Sequence, residues 1–342
     1  MKSAMKILLS CLLPLALLLP LGGCSCGFDC NNDDDDGNKP TLLTLGLSDS
    51  LPEDLKQVVI EVDSITFKRS GVDDVVVNTF TIPGLDLVDE DTFQIDLLKY
   101  QGTNQLKVIT GLELVPGFYN EVSITIITGG IEHSYVQLAA DDKLKAIEVG
   151  SGVQGLPGIQ LASGEQTFTM EFGLAQALQY QTAKDTYLLT TNGVRMEDNL
   201  TAARLSGTVD STLFDTVSPC NEKTTPTKGN RVYLYKGTGL LAENLADVFT
   251  SQSTTTAPVN TIAPFAVASM AQSSFTDNWE YSFGYIPAGS YTIAFACNTA
   301  ADAAVEYNGL VIPLPTTQKH EITLAEADKG VCNLADVVNP SC

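Results

Sequence analysis

Residues 56–71 read KQVVIEVDSITFKRSG, and this run decides the fold class of the chain. Alternate residues are apolar, which is the period of a β-strand with one buried face. The residues assigned to that face are Val58, Ile60, Val62, Ile65 and Phe67. The step from Val62 to Ile65 is one residue too long, so the pattern predicts a β-bulge at Asp63 and Ser64.

Further runs of strand length follow at regular spacing, separated by Gly, Pro, Asp and Asn. They include TLLTLGLSD (41–49), FQIDLLKY (93–100), EQTFTMEFG (165–173), NRVYLYKG (230–237) and KHEITLAEA (319–327). Many Val, Ile, Thr, Tyr and Phe residues favour strands over helices. The pattern predicts an all-β protein with two β-sandwich domains of Greek-key, transthyretin-like or immunoglobulin-like type. We place one domain at 41–200 and the other at 201–342.

Secondary structure is also predicted for three segments with less regular alternation. AQALQYQ (175–181) predicts one short helix. LSGTVDSTLF (205–214) and EYNGLVIPL (306–314) predict strands in the second domain.

A weak internal repeat links the two halves of the chain. LVPGFY (114–119) matches YIPAGSY (285–291), and each leads into an alternating run. Proline presets φ at the start of such a turn, and glycine supplies a positive φ. We therefore expect Tyr119 and Tyr291 to pack over the entry of the next strand, with their hydroxyl groups capping backbone.

The N-terminus has the pattern of a signal peptide. Lys2 and Lys6 form a positive region before the apolar run ILLSCLLPLALLLPL (7–21). That run has the length of a signal-peptide core and is short for a membrane-spanning helix. We therefore predict that residues 1–23 are removed from the mature protein.

The signal peptide ends in Leu-Gly-Gly-Cys (21–24), which resembles the lipobox of bacterial lipoproteins. That resemblance implies cleavage between Gly23 and Cys24 and acylation of Cys24, with palmitate among the chains. Several acyl chains on one residue make a stable membrane anchor. Ser25 after the cysteine favours an outer-membrane location, with a periplasmic or a surface-facing orientation left open.

Residues 24–40 read CSCGFDCNNDDDDGNKP and predict a solvated acidic tether. The aspartates at 33–36 suggest calcium, but a calcium loop needs alternating ligands around a turn glycine. A self-repelling spacer is therefore the favoured interpretation. The formal net charge of −22 makes nucleic-acid binding improbable and leaves the membrane contact to the acyl chains.

Six cysteines remain after the signal peptide and Cys24 are set aside. They are Cys26, Cys30, Cys220, Cys297, Cys332 and Cys342. An even number in an oxidising compartment indicates disulfides, but the sequence alone does not choose the connectivity. Proximity favours Cys26–Cys30, and we prefer Cys220–Cys297 and Cys332–Cys342 for the others. A zinc site is not expected, because CxxC pairs are missing and the two histidines lie far apart in sequence.

Three stretches carry a family resemblance. LGLSDSLPEDLKQVVIEVDSITF (45–67), FQIDLLKYQG (93–102) and LVPGFYNEVSITI (114–126) resemble the domain-of-unknown-function 4382 (DUF4382) family of bacterial lipoproteins. VYLYKG (232–237) and YSFGYIPAGSYTIAFAC (281–297) resemble transthyretin-like and carboxypeptidase-regulatory sandwiches, a carbohydrate-binding-like fold. The first resemblance implies an envelope location and no known activity, and the second implies only a fold.

Catalytic motifs are missing from the sequence. His133 and His320 lie outside any nucleophile elbow or metal-ligand spacing. The acidic run 89–91 is interpreted as a solvated turn and not as a glycosidase pair. We therefore expect neither enzyme activity nor a cofactor.

The leading hypothesis is a non-enzymatic cell-envelope lipoprotein that presents or spaces a binding or adhesion surface, with a glycan or an envelope protein as partner. One alternative is a glycan-binding module with Trp279 and Tyr281 as an aromatic platform. A solvent-facing Trp279 near Tyr233 or Tyr235 would favour it. A second alternative is calcium-dependent adhesion through acidic loops.

Overall fold

The alternating runs form strands in the computed structural model, which describes residues 39–50, 55–150, 152–335 and Cys342. Helices are restricted to single turns among these residues: α1 (Leu174–Ala177), α2 (Thr212–Asp215) and 3-10 turns at Pro83–Leu85, Leu97–Lys99, Cys220–Glu222, Ala242–Asn244 and Thr299–Ala301. The predicted all-β class is therefore confirmed.

The strands fall into two groups along the chain. Residues 41–198 contain β1 Thr41–Ser50, β2 Leu55–Lys68, β3 Val75–Val77, β4 Phe80–Ile82, β5 Leu87–Glu90, β6 Phe93–Asp96, β7 Leu106–Leu114, β8 Gly117–Ile127, β9 Tyr135–Leu138, β10 Leu144–Val149, β11 Val153–Leu161, β12 Gly164–Gly173, β13 Leu178–Gln181, β14 Thr186–Leu189 and β15 Val194–Asp198. Residues 203–331 contain β16 Ala203–Val209, β17 Arg231–Lys236, β18 Ala266–Ser269, β19 Ala271–Gln272, β20 Trp279–Ile286, β21 Gly289–Ala296, β22 Lys319–Leu324 and β23 Lys329–Val331.

Residues 41–198 form the first sandwich. One sheet has the order β15-β12-β1-β7, and a nine-stranded sheet is built around β11-β8-β2-β9-β10-β14-β13. Apolar side chains from both sheets form one buried cluster within residues 43–194. The long strand β2 contributes Val58, Ile60 and Phe67, as its alternation predicts.

Residues 203–331 form the second sandwich. Its sheets have the orders β19-β20-β16-β23 and β18-β17-β21-β22. Their inner faces meet in a second buried cluster within residues 203–334. Residues 38–342 make up one compact unit, and a smaller buried cluster joins Ala175 of the first sandwich to Tyr233 and Tyr235 of the second. The division into domains at residue 200 stays a prediction.

Six strands of each sandwich share one connectivity. In the first, β1 lies between parallel β12 and antiparallel β7, and β8 pairs with β2 and β11. In the second, β16 lies between parallel β23 and antiparallel β20, and β21 pairs with β17 and β22. The two sandwiches are therefore topological copies, and the internal repeat marks the same point in both.

That point is the turn where the chain changes sheets. β7 leads into β8, and β20 leads into β21, but each strand of a pair belongs to a different sheet. Tyr119 is the third residue of β8, and its hydroxyl donates to the Val115 carbonyl at 3.2 Å. Tyr291 is the third residue of β21, and its hydroxyl donates to the Pro287 carbonyl at 2.7 Å. The predicted capping of backbone is confirmed at both turns.

The bulge predicted in the opening run is also confirmed. The pairing of β2 with β8 shifts register between Val62 and Ser64. The shift keeps Ile65 and Phe67 on the buried face together with Ile60, where all three are fully buried. Without it, the second half of β2 would present its apolar residues to the opposite face.

Three local predictions need correction. Only the first residues of 175–181 are helical, because Leu178–Gln181 pairs with β14. Within 205–214 the strand ends at Val209, and α2 then buries Leu213 and Phe214. Residues 306–314 form no strand, because Pro313 lacks a backbone donor and Asp247 binds the amides of Asn308 and Leu310.

Two disulfides hold the second sandwich. Cys220 is linked to Cys297, with Cα atoms 5.7 Å apart. Cys332 is linked to Cys342. These are the pairs preferred from the sequence, and such bonds are typical of an oxidising, extracytoplasmic compartment.

Among the described residues, every helix is too short to cross a lipid bilayer.

Candidate ligand-binding groove

The outer face of the β19-β20-β16-β23 sheet carries short polar side chains. In the register of β16 with β20, Ser206 lies opposite Ser282 and Thr208 opposite Glu280. Tyr281, between Ser282 and Glu280 on β20, points into the core, as do Leu205 and Phe283, which precede Ser206 and follow Ser282. Because successive side chains of a strand alternate between faces, the same run that fills the core also lines the outer face with hydroxyl groups and a carboxylate.

These side chains line a cavity of about 450 Å³, which we call the sheet-face groove. A loop of the first sandwich, Gln101–Gly102, closes one side. Gly284 makes this possible, since a Cβ there would lie 2.1 Å from the Gly102 carbonyl oxygen. The Tyr285 hydroxyl donates to the Thr103 carbonyl at 2.8 Å and fixes the same loop.

Two adjoining cavities lengthen the groove along the sheet. One of about 280 Å³ shares Thr208 and Asn333 with the first and continues to Trp279. The other, of about 330 Å³, shares Ser206 and Ser282 and continues past Lys329. The three cavities therefore adjoin one another along this sheet.

Hydrogen bonds fix several polar groups of the groove. The Asn333 side-chain oxygen accepts from the Thr208 amide at 3.0 Å and from its hydroxyl at 3.2 Å. The Thr276 hydroxyl donates to Glu280 at 3.3 Å. Ser269 is 6% exposed and lines the groove, and its hydroxyl has no hydrogen-bond partner among the described residues.

The aromatic platform predicted at Trp279 and Tyr281 is wrong in its second member. Tyr281 is 3% exposed, and its hydroxyl donates to the Cys332 carbonyl at 2.7 Å. Its ring occupies space left by Gly207, where a Cβ would lie 2.9 Å from that ring. Tyr233 and Tyr235 are fully buried and contribute no platform either.

Trp279 has an intermediate position. Its ring packs edge-on against Phe214 at 5.6 Å between centroids, so part of it belongs to the core. The residue is half-buried, and the rest borders the far end of the groove. The groove residues around Trp279 were not predicted from the sequence, although the alternation of polar and apolar residues in β16 and β20 indicates a polar outer face.

Other predicted positions do not converge. His133 lies in the first sandwich with Nδ1 2.9 Å from a Glu61 carboxylate oxygen. His320 lies on β22 of the second sandwich, and burial lowers the pKa of its imidazole. Asp89 and Glu90 are exposed but belong to strand β5, so the turn predicted at 89–91 is wrong for these two residues; Asp89 has a positive φ and accepts from the Thr81 hydroxyl.

Some predictions cannot be placed. Gly23, Cys24, Cys26, Cys30 and the aspartates at 33–36 lie outside the described residues. Within 39–50, 55–150 and 152–335, no three metal-ligating side chains lie together. Calcium-dependent adhesion through acidic loops stays a prediction.

A buried charged cluster lies where the sandwiches meet, at a contact that we call the seam. Glu171 on β12 is 1% exposed, and its neighbour Arg195 on β15 donates to the Tyr285 carbonyl at 3.4 Å. The Arg195 Nε lies 3.5 Å from Glu197, and its guanidinium carbon lies 5.0 Å from the centre of the Phe265 ring. Residues of the second sandwich thus cover charges on the first.

Burial dominates the electrostatics of the seam. Loss of solvent raises the pKa of the Glu171 carboxyl to about 7, although Arg195 opposes the shift. Burial likewise raises the pKa of Glu197 to about 7 against the same guanidinium. Arg195, together with Lys236 near Glu197, does not offset the burial of the two carboxylates, so the pKa of each lies near neutrality.

Comparisons with known proteins bear on the first sandwich. Residues 41–191 match the model of DUF4382, a domain of unknown function. This match confirms the resemblance stated for the first part of the chain. The resemblance of residues 201–342 to carboxypeptidase-regulatory domains stays a prediction, and no curated protein matches the chain.

Solved structures give only distant likenesses. A leucine-rich repeat protein of Bacteroides thetaiotaomicron is 9% identical, covering 89% of this chain and 27% of its own, at a TM-score of 0.21. The TIE protein of Bacillus anthracis is 10% identical, and the match covers 86% of this chain and 34% of that protein at a TM-score of 0.17. A candidate adhesin of Bacteroides ovatus is 8% identical, and the match covers 94% of this chain and 99% of that protein at a TM-score of 0.17. The chain thus spans about a third or less of the first two, and TM-scores this low carry no argument.

Proposed function

We propose that this protein is a non-enzymatic binding protein of the bacterial cell envelope, and that the sheet-face groove is its binding surface. The groove itself carries the proposal: a continuous polar channel along a sheet whose other face is a packed core. Such a channel is preformed, so binding costs little ordering of the protein. The two disulfides support an extracytoplasmic location.

The ligand class that the groove favours is a glycan. Its lining offers the hydroxyl groups of Ser206, Thr208 and Ser282, the Glu280 carboxylate and the Asn333 amide. Sugar hydroxyl groups both donate and accept hydrogen bonds, as these side chains do. The exposed part of Trp279 adds an apolar surface at one end.

The test uses Trp279 as a reporter. It is the only tryptophan of the chain, so a change in tryptophan fluorescence reports binding in the groove. Defined oligosaccharides would first be screened on an array and then titrated against the intact protein. We expect Thr208→Val to weaken binding about 3- to 10-fold, because it removes one hydroxyl hydrogen bond at constant volume.

The matched control is Thr323→Val, an exposed threonine on β22 of the other sheet, which should leave affinity unchanged. Binding that persists in Thr208→Val without any change in tryptophan fluorescence would place the ligand elsewhere. An array with no bound glycan, together with cross-linking to an envelope protein through the groove, would replace the glycan by a protein partner.

We also propose that acyl chains on Cys24 hold the protein at the outer membrane. The support is the lipobox-like sequence at 21–24. Cys24→Ser should abolish incorporation of labelled palmitate and release the protein from the membrane fraction. Protease treatment of intact cells would then distinguish the orientations, since only a surface-facing body is digested while periplasmic controls survive.

A further inference from the structure

A separate cleft of about 370 Å³ lies between the two sandwiches. One wall is formed by α1, β13 and β14, and the other by the segments 228–231 and 300–304. It shares no lining residue with the sheet-face groove. Its volume falls within the range of small-molecule sites, roughly 300–1,000 Å³, which occur preferentially where domains meet.

An exposed tyrosine forms the first wall. Tyr180 is 43% exposed, although aromatic side chains elsewhere in the chain mostly fill the two cores. Its ring lies 5.2 Å from that of Tyr187, its cross-strand neighbour. Its hydroxyl donates to Asp185, and the Lys145 ammonium lies 6.0 Å from the ring centre. The ring is therefore held in place before any ligand arrives, which lowers the entropic cost of stacking.

Small residues form the opposite wall. Ala300, Ala301 and Ala303 line the cleft, and Gly229 approaches them so closely that a Cβ would lie 2.9 Å from the Ala300 amide nitrogen. The wall thus presents little side-chain bulk to the tyrosine.

Asp302 anchors this wall from within. It is 8% exposed, accepts from the Tyr233 hydroxyl at 2.6 Å and the Val248 amide at 3.0 Å, and pairs with Arg231 at 3.1 Å. Because a buried carboxylate with these partners cannot move without losing them, Asp302 holds the backbone of this wall in place.

The chemistry of the two walls selects a flat ligand with apolar faces and a polar edge. The cleft is a slot lined by an aromatic ring and by small aliphatic residues, and Gln179 and Lys228 also line it. A pyranose has this character, since its C–H groups stack on aromatic rings and its hydroxyl groups bond to polar side chains.

We infer that this cleft is a second ligand site, which takes a single pyranose unit stacked on Tyr180. The site goes beyond the proposed function, because it uses none of the residues of the sheet-face groove. Either site can therefore fail without the other.

The experiment labels the intact protein with 3-fluorotyrosine and assigns the Tyr180 ¹⁹F signal by its loss in Tyr180→Phe. The probes are the methyl glycosides of glucose, galactose, mannose and N-acetylglucosamine. We expect at least one to shift the Tyr180 signal saturably, while tryptophan fluorescence, which reports the groove, is recorded in the same samples.

Variants separate stacking from other contributions. Tyr180→Ala should weaken binding at least about tenfold, a loss of about 1.4 kcal/mol. In Tyr180→Phe, binding followed by ligand-observed NMR should stay within about threefold, because the ring remains. Ala301→Phe narrows the slot from the opposite wall and should also block binding, with an intact circular-dichroism spectrum. Phe275→Ala, a remote exposed aromatic, is the control and should change nothing.

Three results would overturn the inference. The first is a Tyr180 signal unmoved by every glycoside up to about 50 mM, a concentration that already detects very weak affinity. The second is a folded Tyr180→Ala variant that binds like the wild type. The third is a signal moved only by free aromatic compounds such as indole, which would assign the slot to an aromatic ligand. A change in Trp279 fluorescence alone would leave the groove standing and remove the cleft.

Discussion

The two sandwiches share one topology but differ in the size of their sheets and in the segments that connect their strands. Both contain the same six-strand connectivity and the same tyrosine turn, at Tyr119 and at Tyr291. The first sandwich extends its larger sheet to nine strands. The second keeps two four-stranded sheets and joins its strands through long irregular segments.

The two sandwiches satisfy the hydrogen-bonding groups of their backbones by different means. Added strands in the first pair their amides and carbonyls in sheet ladders. Irregular segments in the second lack ladders, and buried polar groups cost free energy unless they are bonded. Asp247 therefore accepts from two amides, Asp302 accepts from one, and Cys220–Cys297 pins the segment after β16 to the end of β21.

The largest effect is expected from the Cys220–Cys297 disulfide. Replacing both cysteines by alanine should destabilise the second sandwich by about 2–5 kcal/mol, because the bond closes a long loop in the unfolded chain. Hydrogen exchange should accelerate in the second sandwich and stay unchanged in the core of the first. Equal acceleration in both would show that the seam couples their unfolding.

The Cys332–Cys342 bond is the matched control, because it closes a loop of only 10 residues against 77. The chain-entropy model gives roughly 2.7 kcal/mol for the shorter loop and roughly 4.5 kcal/mol for the longer one. Peptide mapping under non-reducing conditions checks the pairing itself. A Cys297–Cys332 peptide would contradict it.

The next effect concerns pH at the seam. The pKa of Glu171 and that of Glu197 are about 7 in the folded protein, above the ordinary value of 4.5. The folded state therefore binds more protons than the unfolded state between these pH values. The free energy of unfolding should fall as pH rises from about 4.5 to about 7 and then level off for these groups. Thermal unfolding across this range measures the slope.

Glu171→Gln should flatten that slope and raise the melting temperature above pH 7 by roughly a few degrees. The amide imitates the protonated acid, so the charge beside Glu197 is lost. Glu306→Gln is the control: hydrogen bonds from the Thr254 backbone and hydroxyl lower the pKa of Glu306, so its titration lies below this window. A slope as steep in Glu171→Gln and in Glu197→Gln as in the wild type would disprove the role of the seam.

The smallest effect tests the equivalence of the two turns. Tyr119→Phe and Tyr291→Phe each remove one hydroxyl that donates to a carbonyl four residues earlier. Each should cost about 1 kcal/mol in the free energy of unfolding. Chemical denaturation of the two variants gives the comparison. Costs that differ by more than about 1 kcal/mol would show that the turns are alike in geometry and unequal in energy.

Local patterns predicted the strands and the turns, because both depend on neighbours in sequence. The bulge after Val62 and the hydroxyl bonds of Tyr119 and Tyr291 were of this kind. The strand expected at 306–314 failed, because its amides bond to Asp247, a residue distant in sequence. Alternation alone cannot show which partner a backbone group will find.

The candidate sites were the least predictable part. Trp279 and Tyr281 lie two residues apart and therefore share one face of β20. That face points to the core, but the spacing alone does not show whether it is buried or exposed. Tyr180 was not predicted as a site residue from the sequence, because its exposure depends on the hairpin of β13 with β14 and on a loop from the other sandwich. A sequence shows which residues of a strand share a face. Which of the two faces is exposed depends on the segments that pack against the strand.

Four features follow from the amino-acid sequence alone: the all-β class, the alternation that fills both cores, the tyrosine turns and the cysteines available for disulfides. These follow from the period of a strand and from the chemistry of single residues. Three further features depend on tertiary packing: the sandwiches are topological copies, Glu171 is buried under the second sandwich, and a groove and a cleft open beside their contact. Those features arise from packing between segments far apart in the chain, which no local pattern encodes.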